Sequence, residues 1–319
     1  MGRQRGEALM GDVGLLFPGQ GSQYIGMGKD LAEAYPEARE AFEEADDTLG
    51  FALSGLCWEG PTEELRRTVN AQPAILVHSI AVWRVLERRT PAAVLAAGHS
   101  LGEFSAYVAG GSIDFADAVI TVRRRGELMF EAGRQRPGSM AAILGLDDAA
   151  VDAVCREAST DDEVVVPANY NSSGQIVISG DIRAVERAGE LAKQAGAKRT
   201  IPLNVSGAFH SPLMEVAVSG LREQLSTVEL RDPSFPVISN VTAEPVSSAA
   251  GARELLVEQL TSPVRWVASL NTMLAAAPDT LLEIGPGHVL AGLARRVSRE
   301  VPVRSLGTAQ EVDAYLGEG

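Results

Sequence analysis

Gly98-His99-Ser100-Leu101-Gly102 sets one serine between two glycines, after an apolar run from Ala92 to Ala97 and before a run from Glu103 to Ala109 that suits a helix. The spacing predicts a strand, a tight turn and a helix, the arrangement that lifts a serine hydroxyl clear of the backbone. Glycines flank such a serine because side chains there would collide, and the amide that follows it, at the helix N-terminus, can stabilise an oxyanion. Ser100 is therefore the candidate nucleophile. The same pattern also arises by chance in loops rich in glycine and serine, so the flanking strand and helix carry the argument.

A nucleophilic serine needs a base, and the chain holds four histidines, His78, His99, His210 and His288. His99 adjoins Ser100 and should point away from it. His78 lies within an apolar helical pattern and reads as a satisfied core residue. His288 follows Gly285-Pro286-Gly287 in a loop that opens a helix. His210, in Val205-Ser206-Gly207-Ala208-Phe209-His210-Ser211-Pro212, is the best base candidate by placement. A second glycine-rich turn, Gly19-Gln20-Gly21-Ser22-Gln23-Tyr24, follows an apolar run, but Tyr24 stands where a dinucleotide-binding loop needs its third glycine. A tight strand-to-helix turn explains Gly19 and Gly21 as well, and neither reading accounts for Gln20 and Gln23.

The elements that must position these residues alternate between strand-like and amphipathic helical runs, which predicts an α/β fold with a largely parallel sheet. Val13 to Phe17 reads as the first strand, with helices over Lys29 to Ala45, Gln72 to Arg88 and Ile113 to Ala132. From residue 138 to 205 the rhythm changes: strand Met140 to Leu144, helix from Asp147 or Asp148, strands Val164 to Ala168 and Gln175 to Ser179, helix Asp181 to Ala195, strand Arg199 to Leu203. That order matches a ferredoxin-like small domain over residues 136–205, with Asp181 as an N-cap and Gly196 as a helix stop. It is expected as an insert in a large α/β-hydrolase-like domain built from residues 1–135 and 206–319, and a cleft between the two favours a substrate.

The 319 residues are 45% hydrophobic and 22% charged, enough for a substantial core. Asp and Glu number 42 against 28 Lys and Arg, a net charge of −14 with no long basic run, so nucleic acid is a poor partner. Cys57 and Cys155 are the only cysteines and read as core thiols. The first ten residues are polar, with no apolar segment long enough for a signal peptide or membrane span, and Gly6 stands where a myristoylation motif wants Ser or Thr. A cytoplasmic protein is the expectation, with residues 1 to 9 a frayed extension or a misassigned start ahead of Met10.

Taken in chain order, Phe17-Pro-Gly-Gln-Gly-Ser-Gln23, Gly98-His-Ser-Leu-Gly-Glu103, Arg125-Gly126 with Met129, Asn169-Tyr-Asn-Ser-Ser-Gly-Gln175, Gly207-Ala-Phe-His-Ser211, Gln259 ahead of Pro263-Val-Arg-Trp266, and Gly285-Pro-Gly287 span nearly the whole sequence. In these motifs the chain resembles the malonyl-CoA:acyl-carrier-protein transacylases and the acyltransferase domains of fatty-acid and polyketide synthases. The resemblance implies a ping-pong transfer from malonyl-CoA to the phosphopantetheine thiol of a holo acyl carrier protein through a malonyl-Ser100 ester, supplying extender units for fatty-acid synthesis. It implies His210 as base, the backbone amides of Gln20 and Leu101 as oxyanion hole, and Arg125 as the partner of the malonyl carboxylate, which an unpaired buried charge would demand. Arg123 and Arg124 then read as a solvated helix face. Gln259 aligns with the polar residue that orients the family's histidine, though a helix-surface glutamine is the plain alternative. Phe209, ahead of the histidine, favours malonyl over methylmalonyl by narrowing the pocket, or is ordinary core.

The resemblance further implies a monomer that needs no metal or redox cofactor, the CoA thioester being substrate. An acidic chain that meets an acidic carrier must dock it on a local basic patch, for which Arg134, Arg136, Lys198, Arg199, Arg295 and Arg296 are candidates. A free-standing acyltransferase of a polyketide pathway fits the same motifs. A serine thioesterase or hydrolase would share Ser100 and His210 but has no use for Arg125, and a non-enzymatic carrier-binding protein would need none of the three.

Overall fold

The computed structural model describes residues 11–317, and the expectations for the first nine residues lie outside that range. Its strands in chain order are β1 (Val13–Phe17), β2 (Ala93–Gly98), β3 (Gly138–Leu144), β4 (Val165–Ser172), β5 (Gln175–Asp181), β6 (Arg199–Pro202), β7 (Val237–Ile238), β8 (Pro245–Val246), β9 (Thr280–Ile284) and β10 (Val303–Leu306). A six-stranded sheet runs in the order β10-β9-β1-β2-β7-β8, parallel except for the antiparallel β7–β8 edge. The central strand β1 is buried along its whole length because helices cover both faces, Leu15 and Phe17 packing into one apolar cluster and Leu16 into another. Strand order diverges at β1, which pairs β2 on one side and β9 on the other, and the crevice beyond the carboxyl ends of such strands is where an open α/β sheet places a ligand. The turn after β1 starts at Pro18 and the turn after β2 carries Ser100, so both candidate motifs meet there.

Residues 138–202 form a separate antiparallel sheet, order β4-β5-β3-β6, with the helices Asp148–Ala158 and Ile182–Gln194 over its own apolar cluster. The chain order strand-helix-strand-strand-helix-strand is the expected one. β4 extends past Ala168 to Ser172, and its end is tied to the rest of the protein: the Tyr170 amide donates to the Val264 carbonyl at 2.9 Å and the Val264 amide to the Ala168 carbonyl at 2.8 Å.

Several boundaries differ from expectation for local reasons. The helix expected over Lys29 to Ala45 is two, Lys29–Ala34 and Pro36–Leu49, because Pro36 cannot continue the first and pushes Tyr35 into an extended conformation. The helix expected from Gln72 begins at Thr68 and accommodates Pro73. Pro73 has no amide hydrogen for the Val69 carbonyl one turn earlier, and Arg123 donates to that carbonyl at 3.0 Å instead. Arg123 is thus a structural strut and not the solvated face expected of it, whereas Arg124 is half exposed with Glu127 at 3.6 Å. Asp181 holds the N-cap position but does not cap, its carboxylate being engaged by Arg136 and the Val164 amide. Gly196, at φ +96°, ends that helix as expected. Both cysteines are buried free thiols. Among the described residues no helix is long and apolar enough to cross a membrane.

Candidate active site

The turn Gly98-His99-Ser100-Leu101-Gly102 is forced into shape by its neighbours. A β-carbon on Gly98 would sit 1.8 Å from the Gly102 carbonyl carbon, and one on Gly102 would sit 2.0 Å from the Phe17 oxygen, so only glycine fits at either end. Ser100 is left at φ +51°, a left-handed conformation unusual for serine that turns its side chain out of the sheet. His210 is held the same way, at φ +56°. Asn240, two residues past the end of β7, secures the turn: its Oδ1 accepts the Ser100 amide at 2.7 Å and its Nδ2 donates to the Gly98 carbonyl at 2.7 Å.

Ser100 Oγ lies 2.8 Å from His210 Nε2. His210 Nδ1 lies 2.9 Å from the Gln259 backbone carbonyl, which can only accept, so the ring proton sits on Nδ1 and Nε2 faces the serine bare. Burial, reinforced by the nearby Arg125 charge, lowers the His210 pKa to about 3, so the imidazole is neutral at physiological pH and free to take a proton. His99 points away, its Nε2 2.8 Å from Asn171 Oδ1 and its ring tilted against Trp266. His288 is exposed at the start of the helix Val289–Val297, outside the cavity lining, and His78 is buried elsewhere in the core.

Arg125 is only 1% exposed, with Nη2 3.2 Å from Ser100 Oγ. Neutral amides hold it: Nη1 donates to Gln72 Oε1 at 2.6 Å and Nη2 to Gln259 Oε1 at 2.7 Å. Gln259 is buried, which excludes a surface role, and its contact with His210 is made by the main chain. Its side chain instead spans Arg125 and Glu103, donating from Nε2 to Glu103 Oε2 at 2.7 Å and to the Ser100 carbonyl at 3.0 Å. Gln259 is therefore a positioning residue, not a side-chain partner of the histidine. Glu103 also accepts the Asn240 amide at 3.1 Å, and burial raises its carboxyl pKa to about 7. Burial likewise lowers the Arg125 guanidinium to about 10, leaving it charged at neutral pH.

On the opposite wall, Gln20 Oε1 accepts from Thr68 Oγ1 at 2.9 Å, and Thr68 Oγ1 accepts from Gln72 Nε2 at 2.9 Å, so the first glycine-rich turn is tied to Arg125 through two side chains. Gln23 Oε1 accepts the Gly21 amide at 2.7 Å and shapes the turn itself. Neither the Gln20 nor the Leu101 amide donates to another described residue, and both residues line the cavity, of about 510 Å³, that contains Ser100, His210, Arg125 and Phe209. Phe209 is 6% exposed there, at once part of the core and part of the wall.

Sequence reading missed Gln72, Thr68, Glu103 and Asn240. Glu103 lay inside the quoted motif but had no assigned partner. Gln72 and Thr68 could have been flagged as polar residues in an otherwise apolar helix, which must find partners when buried.

His78 offers a measurable consequence of burial without compensation. Neither ring nitrogen makes a hydrogen bond to a described residue, the Gly307 backbone lying beside it outside bonding geometry, and burial lowers its pKa to about 4. The unfolded chain, with an ordinary histidine, takes up this proton below about pH 6.5 and the folded chain does not, so this contribution to stability is full above that pH and is lost as pH falls towards 4. His78→Leu is expected to make the decline of stability between pH 6 and 4.5 less steep by about 1 kcal/mol per pH unit, read from urea unfolding followed by tryptophan fluorescence. An unchanged slope would mean that the buried ring is not neutral.

A model of the acyl transferase domain family matches residues 15–313. The chain is 49% identical over 307 residues to the malonyl CoA-acyl carrier protein transacylase of Bacillus subtilis (strain 168), covering 96% of this chain and 97% of that protein. It is 44% identical over 308 residues to the protein of that name from Escherichia coli (strain K12), covering 96% and 99%. A solved structure of a type II PKS acyl-carrier protein in complex with its malonyl-transacylase matches with a TM-score of 0.93 at 43% identity, covering 97% of this chain and 100% of that one.

Proposed function

This chain belongs to the acyl transferase family, and we propose that it moves a malonyl group from malonyl-CoA to the thiol of a holo acyl carrier protein through a malonyl-Ser100 ester. It is an acyltransferase. In the first half-reaction His210 Nε2 takes the Ser100 proton as Oγ bonds to the thioester carbon, and the carbonyl oxygen becomes an oxyanion held by the Gln20 and Leu101 amides. Collapse breaks the carbon–sulfur bond, and the CoA thiolate leaves with the proton from His210. The carrier's phosphopantetheine thiol then gives its proton to His210 as its sulfur attacks the ester carbon, and collapse breaks the carbon–Oγ bond as Ser100 Oγ takes that proton from His210. The route calls on no metal or redox cofactor.

The observation that carries this reading is Arg125, a guanidinium sealed beside the nucleophile whose direct hydrogen-bond partners are neutral, the Glu103 carboxyl being one side chain removed behind Gln259, so that no carboxylate sits on its donors. A malonyl carboxylate supplies an anion in direct contact, and an ordinary esterase has no such need. We take the product to feed fatty-acid synthesis; a free-standing acyltransferase of a polyketide pathway would use the same site. The strand order supports reading residues 136–205 as a ferredoxin-like domain inserted in a large α/β-hydrolase-like one, and we take the protein to act as a cytoplasmic monomer.

Intact-protein mass spectrometry tests the route. Incubation with malonyl-CoA should add one malonyl group to the protein, and holo carrier should remove it and gain it. An adduct cleared by water before carrier is added would make the protein a hydrolase. Phe209→Ala opens the cavity wall that Phe209 lines and is expected to improve methylmalonyl relative to malonyl by about tenfold in kcat/KM, the value of one methyl group. An unchanged ratio in a competition assay would return Phe209 to the core.

A further inference from the structure

The wall of the cavity that holds Ser100 has one cationic side chain besides Arg125, that of Arg66, and no Asp or Glu among the described residues that line it. In a chain of net charge −14 this is a local reversal of sign, and it suits a ligand that is anionic at both ends. Arg125 is sealed at the inner end beside Ser100, whereas the Arg66 side chain is 58% exposed and so stands at the open rim. Arg66 closes the short helix Thr62–Arg66, immediately before the helix whose Thr68 and Gln72 reach Gln20 and Arg125, so the rim cation and the inner site are fixed by the same stretch of chain. Its guanidinium is not committed elsewhere: Glu63, 3.6 Å away and 81% exposed, is the one ion-pair partner among the described residues, and a screened pair of that kind holds weakly.

We infer that Arg66 binds a phosphate group of the incoming thioester while its acyl end lies at Ser100. The inference rests on the acyl-transfer reading above. The cavity, at about 510 Å³, is the size of a small-molecule site and takes the malonyl group and the neutral pantetheine arm. The arm is followed by a phosphate in both substrates, the diphosphate of CoA and the phosphodiester that joins the arm to its carrier. A planar guanidinium matches two phosphate oxygens at once, and at a rim it does so without the cost of full burial.

Kinetics with and without the phosphate decide the matter. Arg66→Ala should raise the KM for malonyl-CoA about tenfold with kcat within about twofold, and Arg66→Lys should recover part of the loss. Malonyl-pantetheine, which has no phosphate, should react with wild type and Arg66→Ala alike. A parallel rise in the KM for holo carrier assigns the phosphodiester to the same guanidinium, and a rise confined to malonyl-CoA assigns its diphosphate. Equal effects on malonyl-CoA and malonyl-pantetheine, or none on malonyl-CoA, would overturn the inference. Wild type that formed no ester with malonyl-CoA would instead count against the Ser100 route.

Discussion

Ser100→Ala is expected to lower malonyl transfer to the carrier by about 10⁵- to 10⁶-fold, because removing the nucleophile of such a site costs about as much as removing the whole constellation. The variant keeps the Gln20 and Leu101 amides, Arg125 and the cavity, so the affinity for malonyl-CoA should stay within a few fold while turnover disappears. What it loses is the Oγ that lies 2.8 Å from His210 Nε2 and 3.2 Å from Arg125 Nη2. The backbone position itself is held by Asn240 from both sides of the turn, so the elbow should persist without the hydroxyl. Single-turnover assays with radiolabelled malonyl-CoA would show no labelled protein, and isothermal titration would show retained binding. A variant that kept a hundredth of wild-type turnover would remove Ser100 from the nucleophile's role. His210→Ala should be about as damaging, since the hydroxyl without its base is a poor nucleophile, but its residual rate should rise with pH as solvent hydroxide replaces the missing base.

What could be read from the chain and what could not divides along the line between local and long-range constraint. The elbow was legible because its pattern is local: Gly98 and Gly102 lie within a few residues of Ser100, and although Gly98 is confined by the turn itself and Gly102 by the Phe17 carbonyl of the adjoining strand, both constraints show as glycines in one five-residue stretch. The strand-helix order of residues 138–202 was legible for a similar reason, since each element carries its own period and its own stop, as at Gly196. Asn240 was not. It follows a strand of two residues, too short to show alternation, and its value comes from lying beside Ser100 across 140 positions of sequence. Gln259 shows a further limit. Its position was picked out, but its service to His210 is given by a main-chain carbonyl, which any residue type could supply, while the glutamine side chain is selected by Arg125 and Glu103. Arg123 was misjudged because nothing near it in sequence reveals that Pro73 leaves the Val69 carbonyl without a donor. The helix expected from Gln72 begins at Thr68, and that distant arginine supplies the donor that Pro73 lacks.

Arg125→Ala is the change that should separate a malonyl transferase from a general acyl transferase. A carboxylate brought into this cavity loses water and gains a fork of donors from Arg125; without the fork it would be a buried, unpaired charge. Removing one partner of such a pair costs about 3 to 5 kcal/mol, so kcat/KM for malonyl-CoA should fall by about 10²- to 10⁴-fold. Acetyl-CoA has no carboxylate, and for it the guanidinium is only a buried charge beside an apolar methyl group, so its kcat/KM should fall far less than that for malonyl-CoA. The ratio of the two substrates is the useful readout. Truncation also strands Gln72 Oε1 and Gln259 Oε1, which now accept from Arg125, and the resulting loss of order would lower both rates together. Arg125→Lys should not rescue malonyl, because an ammonium cannot keep Gln72, Gln259 and Ser100 Oγ in place and still present two parallel donors to a carboxylate. Parallel losses for malonyl-CoA and acetyl-CoA in Arg125→Ala would mean that the guanidinium serves the architecture of the site and that malonyl selectivity is set elsewhere on the cavity wall.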